Sequence, residues 1–334
     1  MKILLVEPPK APLSIGGEDV FLFEPLALEY VGAGVVEDHD VRLLDMRLDR
    51  DLAGVLESFA PDVVGFTAYT VHRDVVRELA ADVKAWNPQA VTVVGGHHAT
   101  VVPDDFAWPG VDLVVMGEGV AAFAEVVRRL EAGDGCHGIP GVGVVESARV
   151  VMAEPAHFVE PDALPFPARE LSANYRENYF SEWMQPLASM RTSRGCPFRC
   201  SFCAQWKLAS GRYFGRDPDA VVEELSTIDE EFVFFADDES LVDVDRMAVL
   251  AQRIEASGIA KRYFLYGRAD TIAMNPGLLE AWRRVGLERV FVGLEFFRDS
   301  DLALINKSCS TGDNAEAVRI LDDLDIDIYA SFIV

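Results

Sequence analysis

Arg194-Gly-Cys-Pro-Phe-Arg-Cys-Ser-Phe-Cys203, RGCPFRCSFC, places three of the chain's five cysteines within eight residues. A closed structural zinc site uses four ligands, and a disulfide framework uses an even number of cysteines in a small secreted chain. Three thiols at C-x3-C-x2-C suit neither unless something other than protein fills a fourth position. Iron–sulfur clusters are held by thiolates, normally one per iron. Three thiolates from Cys196, Cys200 and Cys203 on a four-iron cluster would leave one iron open to an outside ligand. The competing reading is zinc with a distant fourth ligand, a His or Cys309. Nothing beside the loop supplies the second ligand pair of a zinc ribbon.

On both sides of this loop the chain alternates strands with helices, the pattern of a parallel α/β sheet. Before it, strands are expected at 2–6, 41–45, 62–69, 90–96 and 111–119, with helices at 25–37, 51–60, 74–87 and 121–133 between and after them. Residues 138–186 carry prolines at 140, 155, 161, 165 and 167. They read as a small hairpin (142–153) and a linker between domains. From residue 187 a second alternation begins. Strands are expected at 187–195, 231–240, 262–270, 289–296 and 327–334, and helices at 217–228, 245–257, 275–286 and 312–325. Asp217 is the expected N-cap of the first of these helices, with Pro218 in its first turn. The expected organisation is therefore a Rossmann-like α/β domain (1–137), a hairpin and linker (138–186), and a partial βα barrel of TIM type (187–334). A sheet of βα units ending on a bare apolar strand would leave an open edge. The expectation is that this barrel is cut short after its fifth strand.

The chain has 334 residues, enough for two ordinary domains, and half of them are hydrophobic. No apolar run approaches the ~20 residues of a membrane span. The start, MKILLVEPPKAP, lacks the longer apolar region and small-residue cleavage site of a signal peptide. A cytoplasmic protein is expected, and clustered cysteines suit a reducing compartment. The net charge of −25 argues against nucleic acid as a partner. Cys136 and Cys309 read as ordinary thiols, with Cys309, near Lys307, a candidate reactive one.

The cysteine spacing, with Phe202 before the last cysteine, resembles the radical S-adenosylmethionine (SAM) superfamily. The resemblance implies a [4Fe–4S] cluster whose open iron is chelated by SAM, and reductive cleavage of SAM to a 5′-deoxyadenosyl radical. It also implies a one-electron donor such as flavodoxin or ferredoxin. Later strand ends follow the order the resemblance implies for SAM contacts. Asp237-Asp238-Glu239 ends the second barrel strand, Arg268 the third and Glu295 the fourth. Each could instead be a cap or a salt-bridge residue.

A Rossmann-like domain ahead of such a barrel resembles the cobalamin-binding subgroup. The corresponding loops are Thr67-Ala-Tyr69, Gly95-Gly96-His97-His98-Ala-Thr100 and Gly117-Glu118-Gly119. Their glycines would let a corrin and its tail approach the backbone. No Asp-x-His-x-x-Gly is present to supply a lower cobalt ligand, and no GxGxxG follows the first strand to suggest a nucleotide. His97 and His98 could equally be a loop pair satisfied by backbone hydrogen bonds.

Within that subgroup, TSRGCPFRCSFCAQWK, FFADDES, RYFLYGRADTIA, GLERVFVGLEFFRD and DIYASFIV resemble the hopanoid C-3 methylase branch. GRYFGRDP and AQWK also resemble the oxidative ring cyclases of bacteriochlorophyll synthesis. The resemblance implies methylation of an unactivated carbon of a hopanoid, a lipid reached from a membrane surface. No basic amphipathic helix for docking there is evident. A different substrate such as a porphyrin, or a non-catalytic cobalamin carrier, are the alternatives. Trp206, Tyr213, Phe214, Phe296 and Phe297 read mostly as core, with a substrate pocket the other possibility.

Overall fold

The computed structural model describes residues 1–11, 20–152, 154–156 and 159–334. The chain divides into two compact units, Met1–Asn178 and Tyr179–Val334.

The first unit is built on strands β1 (Lys2–Glu7), β2 (Asp40–Asp45), β3 (Val63–Thr67), β4 (Val91–Gly95) and β5 (Leu113–Val115), all parallel, in the order β2-β1-β3-β4-β5. Strands alternate side chains between faces, and here both faces are covered, so the strands read as continuous apolar runs. Leu4, Val6, Val64, Phe66 and Val94 pack with residues of helices Leu52–Phe59 and Arg73–Trp86. Ile3, Leu5, Val63, Val93 and Leu113 pack with residues of helices Leu26–Ala33 and Gly119–Ala132. The strand order reverses between β1 and β3. In such sheets ligands bind outside the carboxyl ends of the strands, near that reversal.

The hairpin read as the start of a linker does not stand apart. Its strands β6 (Val142–Glu146) and β7 (Arg149–Met152) extend the same sheet antiparallel beyond β5. Residue 153 of the expected hairpin lies outside the described residues, as does Pro12 of the opening segment. The chain from 159 to 178 also packs within this unit. Ser172 Oγ donates to buried Glu29, and Arg176 donates to buried Glu24 at 2.8 Å. Two carboxylates under a proline-rich segment bind it in a way that its turn-rich composition does not announce.

The second unit holds β8 (Leu187–Met190), β9 (Phe232–Phe235), β10 (Arg262–Arg268), β11 (Leu287–Glu295) and β12 (Asp327–Phe332), parallel and adjacent in chain order. Helices Pro218–Leu225, Val244–Ser257, Pro276–Arg284 and Thr311–Asp323 intervene, as βα units require. Asp217 caps the first helix, accepting from Asp219 N at 2.8 Å, with Pro218 at its first position. The core between helices and sheet centres on Trp282, whose ring meets Phe235 and Tyr263 edge-on and whose Nε1 donates to Met247 O at 3.1 Å. A second aromatic row, Phe234, Phe264, Tyr266, Phe291 and Tyr329, runs across four of the strands with ring centroids 4.9 to 5.5 Å apart between successive strands.

One expected strand is broken. Residues 187–195 do not run straight: β8 ends at Met190, and Ser193–Arg194 pairs antiparallel with Phe214–Gly215. The chain leaves the parallel sheet here to form the neck of the cysteine loop.

Candidate functional site

The neck is built from long-range hydrogen bonds. Asp237, buried just past β9, accepts from Thr192 N (2.7 Å), Thr192 Oγ1 (2.7 Å) and Ser193 N (2.8 Å). Asp238 Oδ2 accepts from Gly195 N at 2.7 Å. Arg216 N donates to Thr192 O, Arg216 NH1 to Arg191 O, and Arg246 Nε to Arg216 O. Gly195 has φ +86, and a Cβ there would lie 2.2 Å from Arg212 O, so only glycine fits.

Beyond Gly195 the loop carries Cys196, Cys200 and Cys203, all free thiols. Cys203 N and Trp206 Nε1 both donate to Cys200 O. Ser201 N donates to Ile305 O, and Asn306 Nδ2 to Arg199 O, tying the loop to the 305–306 segment. Burial pushes the Cys196 thiol up to about 11, and Cys203 is raised for the same reason. Metal binding at such thiols must displace protons. Among the described residues no three His, Cys, Asp or Glu side chains converge on a position for one metal ion. A cluster asks instead for one thiolate per iron. Three free thiols on one pre-shaped loop, with a cation beside them, fit that demand.

That cation is Arg268. Its guanidinium lies 3.7 Å from the centroid of Phe198, between the first two cysteines, and forks onto Asp270 at 2.9 and 2.8 Å. Arg268 N donates to Glu239 Oε1 at 3.2 Å. Burial pushes the Glu239 carboxyl up to about 7, against the pull of that amide and the Arg268 charge. Glu295 ends β11 with φ +62, a left-handed conformation that costs a non-glycine residue energy. Its Oε1 accepts from buried Lys307 Nζ at 2.9 Å; the same ammonium donates to Gly293 O. The structure thus brings Cys200, Arg268 and Glu239 close. Glu295 is drawn into a pair with Lys307 instead, and Phe202 is half exposed.

In the sequence, Asp270 and Phe198 take no role, and Lys307 enters only as a neighbour of Cys309. Asp270 follows Arg268 by two residues and could have been read as its partner. Lys307 sits in a loop with no local signal. The aromatic residues also differ from expectation: Phe297 is 81% exposed and stacks on Phe332 at 4.8 Å, so it is not core. Arg199 and Lys207 each set a cation 5.7 Å from the Trp206 ring centroid.

In the first unit, the three loops after β3, β4 and β5 lie side by side. Thr67 pairs in register with Gly95. Tyr69, half exposed, stacks on His97 at 4.9 Å. Thr100 Oγ1 donates to Gly96 O (2.9 Å) and accepts from Gly117 N (3.0 Å), linking the second and third loops. Glu118 precedes helix Gly119–Ala132 as its N-cap residue. Gly96 has φ +99, and a Cβ there would meet Ala68 N and Thr67 Oγ1 at 2.8 Å. The backbone just past β3 already requires glycine at this position, independent of any ligand. His98 is buried between Thr70 Oγ1 (3.1 Å) and Asp105 Oδ2 (2.9 Å). Side chains satisfy that ring, not the backbone bonds of the alternative reading.

Comparison with known proteins follows the same division. The B12 binding domain matches residues 14–127 and the Radical SAM superfamily matches residues 190–334. The chain is 30% identical over 350 residues to an uncharacterized methyltransferase of Pyrococcus horikoshii, covering all of this chain and 74% of that one. The chain belongs to the cobalamin-binding radical SAM family. A second relative in the family is the hopanoid C-3 methylase of Methylococcus capsulatus, 32% identical over 341 residues, of which this chain spans 64%. The anaerobic magnesium-protoporphyrin IX monomethyl ester cyclase of Cereibacter sphaeroides is 28% identical, with 51% of its length spanned. The chain thus covers about half to two thirds of these two relatives. Among solved structures, the cobalamin-dependent radical enzyme OxsB with aqua-cobalamin bound matches with a TM-score of 0.81 at 18% identity, over 99% of this chain and 49% of that one. The methyltransferase TsrM from Kitasatospora setae, with cobalamin and a [4Fe–4S] cluster bound, matches with a TM-score of 0.78 at 22% identity, over 99% of this chain and 69% of that one. At these identities the likeness supports the fold.

Proposed function

We propose that this chain is the cofactor-bearing part of a cobalamin-dependent radical SAM methyltransferase acting on an unactivated carbon. The observation that carries the reading is the pre-shaped loop with three free thiols beside a buried Arg268, in a chain whose other unit has the cobalamin-domain strand order. Cys196, Cys200 and Cys203 would hold a [4Fe–4S] cluster. Glu239, Arg268, Glu295 and Phe202 would face SAM. Thr67, Tyr69, Gly95, Gly96, His97, Gly117, Glu118 and Gly119 would face cobalamin at the carboxyl edge of the sheet, where the Tyr69–His97 stack offers a flat surface. When bound, these groups supply one-electron cleavage of SAM and a methyl carrier. The protein's own part is to orient them and exclude water. The Lys307 ammonium holds the Glu295 carboxylate in one direction at the strand end. The Arg268 fork on Asp270 and its stack on Phe198 hold the loop against β10.

For the substrate, we infer a hopanoid from the relative that shares 32% identity over the whole of this chain. The aromatic row on β9–β12 favours an apolar or planar substrate. It also suits a porphyrin, the second reading, which the cyclase relative favours. Among the described residues no helix is long and apolar enough to cross a membrane. A one-electron donor, such as flavodoxin or ferredoxin, would have to be supplied.

The test is anaerobic reconstitution with iron, sulfide and hydroxocobalamin, followed by SAM, reductant and candidate substrates. Bound cobalamin, close to four irons, 5′-deoxyadenosine and a methylated hopanoid would support the reading. Porphyrin conversion would move it to the cyclase branch. Failure to assemble any cluster, or cobalamin bound with no deoxyadenosine, would overturn the enzymatic reading.

A further inference from the structure

Asp237 and Asp238 stand where an acidic strand end would meet the amino group of SAM, yet their geometry points elsewhere. A carboxylate has about four lone-pair sites. At Asp237 three are occupied by Thr192 N, Thr192 Oγ1 and Ser193 N, all within 2.8 Å, and the residue is 3% exposed. Asp238 Oδ2 takes Gly195 N, the amide immediately before Cys196. Four donors within four residues thus converge on two adjacent carboxylates some forty residues on. The Asp237 carboxyl only accepts here, so these bonds favour its charged form against the burial that pushes its pKa up. The strand they hold has left the parallel sheet, and Arg216 and Arg246 tie down the backbone around it, Arg216 donating to Arg191 O and Arg246 to Arg216 O. Gly195 turns the chain at φ +86, where a Cβ would collide with Arg212 O and the Ala209 Cβ.

We propose that Asp237, seconded by Asp238, is a positioning residue for the cysteine loop: it clamps the entering strand so that the three thiols are arranged before any metal arrives. The acidic contact to SAM at this strand end then falls to Glu239. The inference rests on the proposed cluster site but concerns the metal-free chain, so it can be read without the cluster. Preorganisation of this kind removes the ordering cost from the binding step.

The experiment uses the full chain in three variants, Asp237→Asn, Asp238→Asn and Thr192→Val. The last removes one hydroxyl bond from the clamp with little change of shape. Alkylation rates of Cys196, Cys200 and Cys203 are measured by peptide mass spectrometry in the metal-free protein, with buried Cys136 and the thermal midpoint as controls for unfolding. Iron loss to a ferrous chelator, and SAM affinity of the cluster-loaded fraction, are measured after reconstitution. The expected result for Asp237→Asn is roughly tenfold faster alkylation of the three loop thiols and faster iron loss. Thr192→Val should act in the same direction and more weakly, Cys136 should stay protected, and SAM affinity of loaded protein should stay near wild type. Unchanged alkylation and iron retention with weakened SAM binding would overturn the clamp and restore the SAM contact. Should Asp237→Asn fail to fold, wild-type alkylation rates in both Thr192→Val and Asp238→Asn would overturn it as well. A wild-type chain that takes up no cluster sinks the proposed function, while the alkylation comparison still decides the clamp.

Discussion

At the residue scale, two glycines and one glutamate mark where backbone and charge are held away from their relaxed states. Gly195→Ala would place a Cβ against Arg212 O in a left-handed conformation. We expect a loss of about 1–3 kcal/mol and a marked fall in iron bound after reconstitution, read by denaturant midpoint and iron assay. Gly96→Ala meets the backbone of Ala68, and its effect should show in the first unit's stability even without cobalamin. Glu29 carries a raised pKa. Burial, and then the nearby Glu24 charge, push its carboxyl up to about 8, against the Ser172 hydroxyl and the Arg169 and Arg176 charges. Its folded pKa exceeds its unfolded value of roughly 4.3, so the fold binds the extra proton between them. This group's contribution is therefore full below about pH 4.3 and is lost as pH rises to about 8, at up to about 1.4 kcal/mol per pH unit. Glu29→Gln should flatten that decline. Urea midpoints at pH 5, 7 and 8.5 check it; parallel curves for both proteins would refute the assignment.

At the element scale, the second unit's helices are interchangeable in pattern but not in weight. Helix Pro276–Arg284 inserts Trp282, fully buried, between Phe235 of β9, Tyr263 of β10 and the Met247 carbonyl. Trp282→Ala should cost about 3–5 kcal/mol, seen as a lower denaturation midpoint of this unit. Strand β11 holds its proposed site residue at one end: its middle pairs regularly with β10 and β12, and its register slips between Gly293 and Glu295. That slip turns the Glu295 carboxylate toward Lys307. Lys307→Met would leave Glu295 buried without its cation. We expect SAM affinity to fall more than iron content, which separates this pair from the clamp at Asp237.

At the scale of the molecule, the charge of −25 is spread over both units and answers to salt. Self-repulsion of an acidic chain weakens as ions screen it. Raising sodium chloride from about 0.05 to 0.5 M should raise the thermal midpoint at pH 7 and do little near the sequence pI of about 4.5. A midpoint insensitive to salt at pH 7 would mean that local ion pairs already offset the net charge. The two units also differ in how their sheets are covered. The first has helices on both faces, so its strands are apolar throughout. The second has a helical layer on one side and the aromatic row on the other.

The order of strands and helices, the cysteine spacing and the small-residue loops after β3, β4 and β5 were all readable along the chain. Each is a local pattern: apolar runs, caps such as Asp217, thiols a few residues apart. What needed the tertiary structure is what depends on partners far away in sequence. The strand before the cysteines breaks because Asp237, 45 residues from Thr192, offers its amides a better acceptor than the sheet does. The hairpin at 142–152 joins the sheet because the edge of β5 is open to it, a fact about another strand. Gly96 is required by Ala68, and Glu295 answers to Lys307, twelve residues away beyond the helix Asp299–Leu304. Periodicity and composition determine which elements form, because those are properties of neighbouring residues. Which side chains meet at the strand ends is decided by packing, because hydrogen bonds in the interior are taken by whichever donor or acceptor the fold brings within reach.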